Sequence, residues 1–119
     1  MTIPLRDRLR TALPTAMKAR DAATVSALRS ALAAIENAAA VAAPPPVDGP
    51  SALGLPAVGL GVTEVARRDV DDAEVERIVR AEVSERLDAA DGYDKLGRAE
   101  QAARLRAEAR ALTVQLGLT

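Results

Sequence analysis

Residues 71–90 read DDAEVERIVRAEVSERLDAA, and within that run Val75, Ile78, Val79, Val83, Leu87 and Ala90 recur three and four residues apart among charged neighbours. That period belongs to an amphipathic α-helix with one stripe for burial, and a strand would need alternation instead. Asp71 and Glu74 open the run as a capping box, in which the Asp71 carboxylate accepts from the Glu74 backbone N–H and the Glu74 carboxylate reaches back. Gly97 supplies a residue that tolerates the left-handed conformation closing many helices. A helix is therefore predicted over about residues 71–96.

Working outward from it, Ala102, Leu105, Ala109, Leu112 and Leu116 keep the same spacing and predict a helix over 98–116 with a bundle-like seam. On the N-terminal side, residues 42–63 change character. Pro44-Pro45-Pro46, Gly49-Pro50, Pro56, Gly59 and Gly61 leave no room for a regular element. Gly59-Leu60-Gly61 lacks the strand before it and the glycine and lysine after it that a phosphate loop requires, so this stretch reads as a linker or mobile insertion. Before it, Asp21 is a natural N-cap for a helix over 22–41 with Val25, Leu28, Leu32, Ile35 and Ala39 on its face. A first helix over 3–19 carries Leu5, Leu9, Leu13 and Met17, with Pro4 in its first turn and Pro14 in its interior. An interior proline deletes one backbone bond and costs about 3 kcal/mol, so a kink or break is expected at Pro14.

The expected fold class is thus all-α. A single domain spans residues 1–119, built as a small bundle of about four helices with a Pro/Gly-rich insertion between the second and third. Trp and Phe are absent and Tyr93 is the only aromatic, so the core must be made of Ala, Leu, Val and Ile. Tyr93 reads as a packing residue at the end of the bundle. The pairs Glu76/Arg80, Glu82/Arg86, Asp91/Lys95, Asp94/Arg98 and Glu100/Arg104 sit at helical spacing and are read as exposed faces, each pair contributing a few tenths of a kcal/mol.

Composition also closes off much chemistry. With no Cys and no His, the chain has no disulfide, thiol nucleophile or imidazole base, and no metal or cofactor is expected. Residues 1–10 lack the apolar run of a signal peptide, and no stretch has the length of apolar sequence a membrane span needs; a cytoplasmic location with no membrane partner is expected. Net charge is −1, yet residues 1–29 are mainly basic and residues 64–97 mainly acidic. Either helices of opposite sign lie side by side, or the basic segments form a recognition surface. Arg6, Arg10, Lys18, Arg20 and Arg29, with Arg98 and Arg104, are the candidates for such a surface, and they form a stripe if the first and last helices adjoin.

Three stretches taken in order carry a family resemblance. They are Met17-Lys18-Ala19-Arg20-Asp21; Leu28-Arg29 followed by Ala34-Ile35-Glu36-Asn37; and Tyr93-Asp94-Lys95-Leu96-Gly97-Arg98 leading into Leu105-Arg106-Ala107-Glu108. Their succession resembles the N-terminal helical domain of YqeY-like proteins, in the GatB/YqeY-like family, over nearly all of the chain outside residues 42–62. The resemblance implies a helical bundle. It also implies kinship with the helical region appended to the GatB component of the glutamine-dependent Asp/Glu-tRNA amidotransferase, which contacts tRNA and presents it to the catalytic core. The chain departs from that pattern in its Pro/Gly insertion and in ending at Thr119, where longer relatives continue into a second, smaller helical domain.

Three functions follow as expectations. One is a noncatalytic binding module for tRNA or an amidotransferase subunit. Another is a protein–protein module or homo-oligomer with no nucleic-acid role, in which the Ala-rich faces and the Leu105 to Leu116 seam serve an interface. The last is a carbon–nitrogen ligase with glutamine as amide donor, for which the chain lacks the means. Such chemistry needs a nucleophile with its base, and the only lysines, Lys18 and Lys95, lie outside any Gly/Ser-rich segment. No catalytic residue is expected, and any amidation belongs to a partner chain.

Overall fold

The computed structural model describes residues 2–40 and 68–118, and among these it is an all-α bundle of four helices. They are α1 (Leu5–Lys18), α2 (Ala22–Ala39), α3 (Asp72–Lys95) and α4 (Ala99–Leu116). The insertion expected at 42–63, and Val41 at the end of the second predicted helix, lie outside the described residues.

Side-chain chemistry sets the helix ends. Asp21 accepts from Thr24 N at 3.2 Å and from Thr24 Oγ1 at 2.6 Å, which caps α2. Asp71 accepts from Glu74 N at 2.8 Å and caps α3. The reciprocal half of the capping box is replaced, because the Glu74 carboxylate takes the Arg68 guanidinium at 2.9 and 2.5 Å. At the α3–α4 turn Gly97 adopts φ +74°, with Gly97 N bonded to Asp94 O and Arg98 N to Tyr93 O, the paired bonds of a Schellman cap. The α1–α2 turn has the same bonds, Arg20 N to Met17 O and Asp21 N to Ala16 O. There the left-handed residue is Arg20, at φ +56°.

The four helices run alternately up and down. Ser30 on α2 faces Glu82 on α3, Arg86 on α3 faces Glu108 on α4, and Arg68 N donates to Ala39 O where the third segment begins. α2 packs against all three other helices, chiefly α4 and α1, α3 lies along α4, and α1 also touches α3 and α4. The core joins Leu5, Leu9, Leu28, Ile35, Val75, Val79 and Leu112 to buried Ala16, Ala27, Ala31, Ala39, Ala102 and Ala109. Alanine at the crossing points lets helices approach closely and leaves each contact short of area.

Four expectations need correction. Of the kink or break expected at Pro14, the break does not occur, and α1 is continuous through it. Arg10, whose carbonyl loses its partner, and Pro14 are both exposed, so water can serve that carbonyl and the ring projects outward. Met17 (49% exposed) and Leu87 (43%) lie off the core, and Ala16 takes the buried place on α1. Among the ion pairs, Asp91 and Asp94 hold Arg106 rather than Lys95 and Arg98, and Arg104 holds Glu108 rather than Glu100. Finally, Glu82 and Arg86 do not mark an exposed face. Their side chains retain only 15% and 12% exposure, and Glu108, at 10%, joins them from α4.

Candidate nucleic-acid interface

The sequence singles out seven cations, and the helices divide them into groups. α1 and α4 run in opposite directions and meet through Arg8, whose Nε and Nη2 donate to Gln115 O at 3.0 and 2.9 Å. A further Arg8 N–H goes to Ile3 O. Arg8 therefore satisfies one of the last carbonyls of α4, where the helix dipole favours a cation. It also sets Arg6 and Arg10 level with the C-terminal end of α4 along the bundle. Arg98 and Arg104 lie about 16 to 25 Å away along that helix at 1.5 Å per residue. A single stripe along α1 and α4 is not formed.

Arg6 turns toward α2, with its Nη2 4.0 Å from Glu36 Oε2. Arg10 on α1 and Arg29 on α2 are exposed and make no ion pair among the described residues. The other four cations gather toward the opposite end. Arg104 Nη2 donates to Ala22 O at 3.3 Å, which brings the start of α4 onto the α1–α2 turn where Lys18 and Arg20 project. Arg98 follows at the α3–α4 turn, less than two helical turns from Arg104. Lys18, Arg20 and Arg98 are exposed with no ion-pair partner among the described residues, whereas Arg104 is bonded to Glu108 Oε2 at 3.0 Å through its Nε. The local acid, Asp21, is held below its ordinary carboxylate range by the Thr24 hydroxyl and backbone N–H, with Arg104 adding a smaller electrostatic pull. Asp21 thus stays ionised and tempers the positive charge of this end.

Between the α3–α4 turn and Arg104 lies an open hollow of about 440 Å³ lined by Tyr93, Glu100, Gln101, Arg104 and Leu105. Tyr93, read from the sequence as packing, is half-buried and forms one of its walls. A second open groove, of about 500 Å³, follows one face of α1 through Thr11, Thr15 and Ala19, from Arg8 to Asp21.

Sequence reasoning missed the polar network inside the bundle. Ser30 Oγ donates to Glu82 Oε1 at 2.7 Å; Arg86 Nη1 donates to the same carboxylate at 2.9 Å; Arg86 Nε donates to Glu108 Oε1 at 3.0 Å; and Glu108 Oε2 takes Arg104. One chain of hydrogen bonds thus ties α2, α3 and α4 together and fixes the Arg104 side chain beside the hollow. The available signal was Glu108 itself, an acid lying on the inward seam between Leu105 and Leu112.

Among the described residues, no group of carboxylates is arranged to hold a metal ion, and no helix is long and apolar enough to cross a membrane. Comparison of the chain with models of known protein families, with curated proteins and with solved structures finds no match.

Proposed function

We propose that the chain is a noncatalytic binding module of GatB/YqeY-like type that takes tRNA against the end of the bundle bearing Lys18, Arg20, Arg98 and Arg104. The observation that carries this reading is the Arg104 bond to the Ala22 carbonyl, which sets Arg104 against the turn bearing Lys18 and Arg20, with Arg98 at the start of α4; among the described residues Lys18, Arg20 and Arg98 have no carboxylate partner. Cations so placed suit phosphates, which supply most of the affinity in sequence-independent binding. The resemblance in the Met17–Asp21 and Tyr93–Arg98 stretches supports the same reading, since both stretches lie at this end. Amide transfer in such a system belongs to a partner chain. The test is filter binding of labelled total tRNA to the chain and to a Lys18→Gln/Arg20→Gln/Arg98→Gln variant at about 50 mM salt. Saturable binding that the variant loses supports the reading, and equal binding by both removes it.

A second reading, a protein-interaction or homo-oligomeric module, is favoured by the other end of the bundle. Ile3, Val114 and Leu118 are each more than half exposed there, and Arg8 draws Ile3 and the end of α4 together. Sedimentation over a concentration series decides the oligomer. A mass that rises with concentration and reverts in Ile3→Ser/Leu118→Ser supports it, and a constant monomer mass rejects it.

A further inference from the structure

We infer that the hollow at the α3–α4 turn is a stacking site for one unpaired nucleobase, with Tyr93 as its platform. The inference rests on the nucleic-acid reading above and adds to it which part of the ligand enters the protein.

Three features of the hollow point to a base rather than to backbone alone. Its volume of about 440 Å³ falls within the range of small-molecule sites, roughly 300–1,000 Å³. Its lining residues are the aromatic Tyr93 and apolar Leu105 together with the polar Glu100, Gln101 and Arg104. Apolar walls favour a flat heterocycle over a phosphate. An amide offers a base edge both donor and acceptor, and a carboxylate accepts from an exocyclic amino group. Its position is also suitable. Arg104 lines the hollow and bonds across to Ala22, so the hollow opens beside the turn that carries Lys18 and Arg20. A strand whose phosphates follow those cations has its neighbouring base at the mouth of the hollow.

The support behind the site is stiff. Arg104 is held by Glu108 at 3.0 Å, Glu108 by Arg86 at 3.0 Å, and Arg86 by Glu82 at 2.9 Å. The Tyr93 carbonyl is fixed by Arg98 N at 2.9 Å within the Schellman cap. Sequence-tolerant stacking on an aromatic side chain recurs in proteins that bind single strands, and the chain has a single aromatic residue with which to do it.

Because Tyr93 is the only aromatic residue, its emission reports on this hollow alone. The experiment titrates the unaltered chain with a single-stranded RNA of about ten nucleotides and with the same sugar–phosphate backbone lacking bases. The expected result is saturable quenching of tyrosine emission by the base-bearing strand, which binds roughly 10- to 100-fold more tightly than the abasic one. By filter binding, Tyr93→Leu falls to the abasic level and Tyr93→Phe stays near the parent. Equal affinity for the two strands on the unaltered chain overturns the stacking site and leaves the phosphate interface standing. Binding of neither strand at low salt overturns both.

Discussion

Replacing Arg86 by Met removes the guanidinium that lies between Glu82 Oε1 at 2.9 Å and Glu108 Oε1 at 3.0 Å. Both carboxylates keep 15% exposure or less, so water cannot readily take over the lost bonds. Ser30 still donates to Glu82, and Arg104 still donates to Glu108. Removing one member of a buried ion pair destabilises by about 3–5 kcal/mol, and the surviving partners place this case near 3 kcal/mol. A domain of this size holds roughly 5–15 kcal/mol in total, and each kcal/mol moves Tm by about 4 °C. Arg86→Met should therefore melt about 12 °C below the parent and show a lower urea midpoint. The triple replacement Glu82→Leu/Arg86→Met/Glu108→Leu removes the charges together and should recover most of that loss, because the desolvation of unpaired carboxylates is then gone. A loss below about 1 kcal/mol in Arg86→Met would refute the reasoning, since it would mean the pair behaves as an exposed one. A triple variant no more stable than the single would refute it too.

Two further perturbations test the turns and the caps. Arg20→Gly should raise stability by up to about 1 kcal/mol in urea unfolding, because glycine holds φ +56° without the clash of a Cβ, partly offset by the freer unfolded chain. The same change should weaken tRNA binding if Arg20 meets phosphate. As for pH, hydrogen bonding from Thr24 lowers the Asp21 pKa and the Arg68 guanidinium lowers that of Glu74, each below its ordinary value. A carboxyl with a depressed folded pKa stabilises above its unfolded pKa, and that contribution is lost as pH falls through the folded value. Urea midpoints should hold steady above about pH 5 and drop below about pH 4. The drop should be smaller in Asp21→Asn/Glu74→Gln.

Element positions were legible because the physics that sets them is local. Apolar spacing in residues 71–90, the Asp21 and Asp71 caps and the Gly97 terminator each act within one or two turns, and α2, α3 and α4 begin and end close to where these signals stand. What local pattern could not show was which side of each stripe faces inward. On α1 the buried place goes to Ala16 rather than Met17, because α1 packs chiefly on α2 and only lightly on α4. Pairing between helices was equally hidden. Arg86 has an acid four residues away at Glu82, as many surface helices do, and only the approach of α4 turns that pair into a buried network with Glu108. Of the candidate site, the residue types were readable but their grouping was not. Arg104 alone bonds the carbonyl of Ala22, which sets it against the turn that carries Lys18 and Arg20, and Arg6 and Arg10 lie apart from Arg98 and Arg104 because α1 and α4 run in opposite directions.

The most direct test of the account is the salt dependence of tRNA affinity across about 50 to 200 mM, because it counts the phosphates that the protein neutralises. Four contacts predict a log–log slope of roughly −3 to −4 for the unaltered chain, falling to about −1 in Lys18→Gln/Arg20→Gln/Arg98→Gln. An Arg6→Gln/Arg10→Gln/Arg29→Gln variant should keep the parent slope. A slope near zero for the unaltered chain, or a slope that falls with Arg6, Arg10 and Arg29 instead, would contradict the assignment of the interface to the end bearing Lys18, Arg20, Arg98 and Arg104.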